Sequence, residues 1–423
     1  MRIAQIAPLY EAVPPKLYGG TERVVYALVE ELVRSGHEVT LFATADSRTS
    51  ARLVPMAEGG LRLLGGKDPL ALHIAMLEEV YASADQFDVI HSHVDYLTFP
   101  FARCSATPTV TTLHGRLDLP ETRRVLACYP EQRLVSISDA QRDPLAGLSL
   151  SWVATVYNGI RLEHFPFRAE PDDPPYLVFL GRISPEKGPV QAIEVARRAG
   201  VPLKVAAKID PADREWAEAH FLPLLGTPAV EYLGEVDEQQ KAELLGGALA
   251  LLFPIDWPEP FGLTMVEAMA CGTPVIAFPG GSVDEVVAHG VTGLVCRTRT
   301  VEEMVAAVRQ IERLDRAACR RRVEQYFSSR VMAQHYEAVY RQVVAVSVPE
   351  QVEVAVAGRQ FTRCELSGRS ERQLVLTERV LCTSVGRLVL NEATRSTLEW
   401  YDSAADPLGH LVSSLEATGL EHA

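Results

Sequence analysis

The sequence predicts an α/β fold: two doubly wound, Rossmann-like halves facing one another across a cleft, followed by a small β-rich appendage. Three observations lead there. Strand-like and helix-like segments alternate in two separate series, the pattern of parallel sheets covered on both faces. A stretch with four prolines and three acidic residues, FPFRAEPDDPP at 165–175, divides the two series. Several strands, LALLF above all, are apolar almost without interruption, as in a sheet buried on both sides. A length of 423 residues suits two domains and an addition.

The first series opens with the strand IAQIA, residues 3–7, and a loop containing Gly19 and Gly20. Thr21 is placed to cap the helix TERVVYALVEELVRSG, whose Val24, Val25, Leu28, Val29 and Leu32 recur at helical spacing, and Gly36 stops it. EVTLFA, a helix over roughly 70–84, DVIHSH, TVTTLHG and RLVSIS continue the alternation. The second series runs YLVFLG, PVQAIEVARRAG, LKVAA, VEYLG, ALALLF and PVIAF, with helices at 237–247 and 262–270 and VEEMVAAVRQIERL as its last helix. From about residue 348 the pattern changes. QVEVAVAG, RQLVLTERVL and GRLVLNE read as short strands, and PLGHLVSSLEA as a terminal helix.

Composition narrows the function. A net charge of −14 argues against nucleic-acid binding, which needs clustered Lys and Arg. Seven scattered cysteines without a C-x-x-C pair fit free thiols in a reducing compartment, so a cytoplasmic location is expected. The N-terminus MRIAQIAPLYE reads as a first strand, not a leader, and no apolar run reaches the ~20 residues of a spanning helix.

The most informative stretch is EPFGLTMVEAMACGTPVIAFPGGSVDEVV, 259–287. Glu259 precedes the turn Pro260-Phe261-Gly262, and Glu267 lies on the helix that Leu263 enters. Amides at a helix start are unpaired and attract anions. One carboxylate beside such a start can accept from sugar hydroxyls, and one further along can hold a ribose diol. Alone, two glutamates read as a solvated helix face; the ordered turn, AMACGTPV run and second Gly-Gly turn at 280–281 favour the site. FLGRISPEKGP places Arg182 and Lys187 at the end of a parallel strand, where open α/β sheets bind ligands; as exposed loop cations they would do nothing. Gly19 and Gly20 let backbone approach a phosphate, although the full G-x-G-x-x-G is missing. His114 in TLHG sits past a strand end, while His91 and His93 make a poor metal set and read as sheet-end packing or, at best, as support behind the site. No Asp-x-Asp pair occurs, so a leaving diphosphate is expected to be neutralised by Arg182, Lys187 and the 262–270 helix start instead of a metal ion.

In order and spacing, GGTERV, TLHG, SISDAQR (136–142), VYNGI (156–160), GRISPEKG and E-P-F-G-L-x-x-x-E resemble the retaining glycosyltransferases of family 4, of the GT-B fold. The resemblance covers residues 1 to about 345. It implies an acceptor-side domain at 1–168, a nucleotide-sugar domain at 169–326, a helix at 327–347 crossing back to the first domain, and an appendage of unassigned role at 348–423. It also implies transfer of a hexose from a UDP- or GDP-hexose to a hydroxyl with retention, without cofactor or metal. Arg182 and Lys187 would hold the diphosphate, Glu267 the ribose, Glu259 the sugar hydroxyls, Gly20 the phosphates, and His114 would lie beside the sugar. Two departures stand out: Lys208 follows a strand where the family has Gly, and the appendage lies outside the usual fold. The acidic 70–84 helix lacks a basic face, so a soluble acceptor is expected, and strand edges in the appendage make a homodimer the expected assembly.

Three other readings compete. A dinucleotide-dependent dehydrogenase needs the missing fingerprint. An epimerase or phosphorylase shares the two-domain architecture, and fold alone does not separate them. A non-catalytic sugar-nucleotide-binding protein would not need the whole motif set.

Overall fold

The computed structural model describes residues 1–347 except 17–18, 66–67 and 227–228, and beyond these only the backbone of six strands between Glu350 and Glu399. The chain divides into two compact units, Met1–Tyr340 and Arg341–Ala423.

The first unit holds two fully parallel sheets. One comprises β1 (Arg2–Ile6), β2 (Glu38–Thr44), β3 (Arg52–Ala57), β4 (Val89–Ser92), β5 (Thr109–Leu113), β6 (Arg133–Ser136) and β7 (Trp152–Thr155), in the order β3-β2-β1-β4-β5-β6-β7. The other comprises β8 (Leu177–Arg182), β9 (Leu203–Lys208), β10 (Val230–Gly234), β11 (Ala250–Phe253), β12 (Val275–Ala277) and β13 (Gly293–Val295), in the order β10-β9-β8-β11-β12-β13. In each, strand order reverses once, between β1 and β4 and between β8 and β11. A crevice opens at such a reversal because the flanking connections leave to opposite faces.

Local chemistry explains most elements. The Gly20–Arg34 helix buries Val24, Val25, Leu28, Val29 and Leu32, the stripe read from the sequence. Its cap differs from expectation: Gly19 occupies that position with no side-chain bond, and Thr21 lies inside the helix. Asp68 caps the Pro69–Ala82 helix, and Asp237 with Gln240 forms a capping box on Glu238–Gly247. VEEMVAAVRQIERL is α-helical over Val301–Val308 and ends in a 3-10 turn, Ile311–Arg313, and a further helix, Arg316–Tyr326, starts at an Asp315 cap. Its sequence, RAACRRRVEQY, is too polar to reveal an apolar stripe, yet Arg316 is buried, donating to the Arg168, Gly246 and Ala248 carbonyls. The 165–175 stretch carries neither helix nor strand.

The long helix Ser329–Ser347 sends Tyr336 and Tyr340 beneath the first sheet, where their hydroxyls meet Thr112, Gln5 and His91. In the second unit, β14 (Glu350–Val356), β15 (Arg359–Glu365) and β16 (Arg372–Val375) form one antiparallel sheet. A second contains β17 (Val380–Thr383), β18 (Arg387–Leu390) and β19 (Ser396–Glu399). The helix read at PLGHLVSSLEA lies outside the described residues. Among the described residues, no helix is long and apolar enough to cross a membrane.

Candidate functional site

A cavity of about 710 Å³ opens between the carboxyl ends of the two sheets, and all ten residues singled out in the sequence line it: Gly19, Gly20, His114, Arg182, Lys187, Glu259, Phe261, Gly262, Leu263 and Glu267. His114 follows β5, and the others arrive from the strands at the two reversals. Gly19 and Gly20 follow β1, Arg182 ends β8, and the Glu259 loop follows β11.

On the wall built by the second sheet, β8 and the following 3-10 turn carry the cations. Arg182 Nη2 donates to Glu186 Oε1 at 2.8 Å, and its Nη1 lies 3.8 Å from Asp213 Oδ2. Among the described residues, its Nε is buried with no hydrogen-bond acceptor. Lys187 Nζ sits 2.5 Å from Glu259 Oε2 and 4.4 Å from the centre of the Trp257 ring, whose Nε1–H donates to the same oxygen at 3.0 Å. Glu259 is therefore held from two sides.

Two glycines fix its backbone. Gly262 has φ 77°, and a Cβ there would stand 2.5 Å from Met265 Cε; the turn into the Leu263–Ala270 helix thus demands glycine. Gly281 has φ 54° and packs so closely on Glu259 that a Cβ would lie 2.2 Å from its carbonyl oxygen. The second Gly-Gly turn is a seat for Glu259, reinforced by Ser282 N donating to that carbonyl. Phe261 is buried edge-on against Phe327. Glu267 is 3% exposed and paired with Lys241, itself buried on the Glu238–Gly247 helix. Leu263 faces Gly20 across the cavity.

The wall built by the first sheet is different chemically. His114 Nε2 lies 2.8 Å from His93 Nδ1. Burial drives the His114 pKa down to about 4 and holds His91 and His93 well below the ordinary range, with neighbouring imidazoles adding to the effect on those two. Asp95, at φ 48°, accepts from the His114 backbone N–H; burial lifts its carboxyl to about 6 against that bond. Glu22, in the first turn of its helix, is buried, and desolvation raises it to about 7 despite the nearby Arg62. Tyr10 and Leu70, both exposed, stand at the same end.

Hydrogen bonds and ion pairs also tie the two halves together. Glu285 accepts from the backbone N–H of Asp139 (2.8 Å) and Ala140 (2.7 Å) and from the Tyr157 hydroxyl (3.1 Å). Ser138 Oγ donates to the Pro260 carbonyl at 2.6 Å. Glu238 bridges Arg23 and His164; although burial opposes it, the His164 bond and the Arg23 charge hold its carboxyl at about 2.

Sequence reasoning missed Lys241, Trp257, Glu22, Asp95 and Glu285; His93, read as sheet-end packing or at best a support behind the site, takes the supporting place beside His114. Trp257, two residues before Glu259, and Glu22, beside the Gly-Gly pair, had a positional signal. Lys241 had none, because only the fold brings its helix to Glu267. Lys208, singled out as a departure, lines the cavity 4.0 Å from Asp210.

Comparison with known proteins agrees with this architecture. Residues 18–164 match the family described as Glycosyltransferase Family 4, and residues 161–327 match Glycosyl transferases group 1. The chain is 27% identical over 372 residues to glycogen synthase of Mycobacterium tuberculosis, covering 76% of this chain and 88% of that protein. It is 29% identical over 401 residues to a phosphatidyl-myo-inositol mannosyltransferase of Mycolicibacterium smegmatis, covering 86% and 100%. Among solved structures, Anabaena HepE in complex with UDP-glucose superposes with a TM-score of 0.63 at 19% identity, over 81% of this chain and all (100%) of the other.

Proposed function

We propose that this chain, which belongs to glycosyltransferase family 4 of the GT-B type, moves a hexose from a UDP- or GDP-hexose to an acceptor hydroxyl, with retention and without a metal ion. One observation carries the reading: Arg182, Lys187 and the start of the Leu263–Ala270 helix converge on the same cavity wall as Glu259 and Glu267.

The chemistry follows from the charges. A diphosphate leaving group gains negative charge as the anomeric C–O bond breaks, and fixed cations and helix amides stabilise it without reorganisation. Arg182, which lines the cavity with its guanidinium beside Glu186 and Asp213, supplies donors to the diphosphate. Glu267, kept as an oriented acceptor by Lys241, takes the ribose diol. Glu259, held by Trp257 and Lys187, takes sugar hydroxyls and places C1 near the His114 wall. The acceptor enters past Tyr10, Glu22 and Leu70. Its oxygen bonds to C1 on the face the diphosphate leaves, and its proton passes to the departing phosphate oxygen, so no protein nucleophile is needed. HepE, solved with UDP-glucose, supports a nucleotide-sugar donor by analogy.

A thermal-shift screen against UDP, GDP, ADP and their glucose and mannose conjugates tests the donor, because a ligand of the native state alone raises Tm. Expected is a rise with one nucleotide and its sugar conjugate. No shift with any of them removes the reading. Proton NMR of the product tests retention, and activity undiminished by chelator tests metal independence.

A further inference from the structure

A continuous chain of side-chain hydrogen bonds runs from His114, on the cavity wall, into the first sheet and onto the Ser329–Ser347 helix. His114 Nε2 and His93 Nδ1 are 2.8 Å apart, and His93 Nε2 lies 2.8 Å from Gln5 Oε1. Gln5 Nε2 donates to the Tyr340 hydroxyl at 3.0 Å; that hydroxyl is 2.7 Å from His91 Nδ1. His91 Nε2 reaches Thr112 Oγ1 at 2.8 Å, and Thr112 Oγ1 reaches the Tyr336 hydroxyl at 2.8 Å. Gln5, His91 and His93 are all buried at 2% exposure or less.

Proton counting gives the chain a direction. The Gln5 amide oxygen only accepts, so His93 must donate from Nε2. A neutral imidazole that donates from Nε2 accepts at Nδ1, so the proton between the two histidines belongs to His114 Nε2. His114 is then left with a bare Nδ1 lone pair. At the far side, the Gln5 N–H occupies a Tyr340 lone pair, and the Tyr340 hydroxyl shares the next bond with His91 Nδ1. From His114 through His93 to Gln5 and Tyr340 the links donate the same way, and burial keeps the imidazoles neutral.

We propose that Gln5 is a positioning residue: through His93 it holds His114 as the Nε2–H tautomer, so that His114 meets the donor sugar as a hydrogen-bond acceptor at Nδ1 and not as a proton donor. This rests on the nucleotide-sugar reading for its ligand, but the tautomer itself does not. The crossing helix enters the argument because its Tyr340 hydroxyl accepts from the Gln5 amide nitrogen.

The test begins on the unaltered enzyme labelled with 15N-histidine. Two-bond 1H–15N spectra distinguish the two neutral tautomers, and His114→Asn and His93→Asn variants assign the signals. His114 and His93 should both show the Nε2–H pattern at neutral pH. An Nδ1–H pattern at His114 overturns the proposal, and needs no variant to fold. In Gln5→Leu the His114 signal should change to a mixed or Nδ1–H pattern; an unchanged one also overturns it. Calorimetry adds the functional readout. Gln5→Leu should weaken UDP-glucose by about tenfold, the scale of one lost hydrogen bond, while UDP binds as before. Equal weakening of both ligands would mark Gln5 as merely structural. If the unaltered enzyme ignores UDP, GDP and their glucose and mannose conjugates, the donor assignment fails while the tautomer result still decides the role of Gln5.

Discussion

Arg182 and Lys187 differ in what they already touch. Arg182 keeps a buried Nε without an acceptor among the described residues, whereas Lys187 is engaged by Glu259 and the Trp257 ring. Each should matter in turnover: Arg182→Ala and Lys187→Ala are expected to slow the reaction by about 10²–10³-fold, the usual loss on deleting one stabiliser of developing charge. Chelator-sensitive activity in which both variants stay active would refute the metal-free picture. Glu267 and Lys241 form a second, more buried pair. Deleting only one partner strands a buried charge, so Lys241→Met should cost roughly 3–5 kcal/mol, with most of it recovered by adding Glu267→Gln. Thermal melts of the four species check this; additive losses would mean the two side chains do not couple. In binding, Glu267→Ala should weaken UDP and UDP-glucose alike, and Glu259→Ala only UDP-glucose. Calorimetry showing the reverse pattern would exchange the two roles.

At the scale of elements, what was readable depended on burial. The Gly20–Arg34 stripe and the strand LALLF announce themselves because continuous burial demands apolar side chains at fixed spacing. The outer strands β3 and β7 were not anticipated; their residues are only partly buried, so their alternation is weak. The three-residue β13 is too short for a pattern. Of the site, the motif-borne residues were legible because local turns carry them, while Lys241 and Glu285 were not, because their partners are 26 and 128 to 146 residues away. Glu285 also yields a prediction. It accepts two backbone N–H groups and a hydroxyl from the opposite half, so Glu285→Ala frees those donors and loosens the two sheets. Tm should fall by a few degrees, and small-angle scattering should report a larger radius of gyration, reversed by UDP. An unchanged radius would confine Glu285 to a local role.

For the whole molecule, the buried histidines dictate the response to acid. His73, His91, His93 and His114 all have depressed pKa values, so they stay neutral in the fold but take protons when unfolded below about pH 6.5. Their stabilisation is complete above that pH and lost as pH falls. Glu22 and Asp95 work in the opposite sense: raised to about 7 and about 6, they hold protons in the fold that the unfolded chain releases. Four imidazoles act against two carboxyls, so the unfolded state binds more protons near pH 5.5 and stability should fall as the pH drops from 7 to 5. A Tm that holds or rises from pH 7 to 5 would contradict the neutral, buried state of these rings.

The two compact units make the last prediction possible. Every described residue that lines the cavity belongs to Met1–Tyr340. Those strands form two three-stranded antiparallel sheets, each with two outer edges. An outer edge presents unpaired N–H and C=O groups, and pairing such edges between identical chains is a common route to a symmetric dimer. We propose that this is what the appendage does. A chain ending at residue 347 should then melt near the temperature of the full chain and bind UDP within about twofold of it, since every described cavity residue is kept. Light scattering should give a dimer for the full chain and a monomer for the shortened one. A monomer in both cases removes the assembly role. A dimer in both places the contact within residues 1–347. Joint loss of UDP binding and of the melting transition would show that the strands cover surface on which the first unit depends.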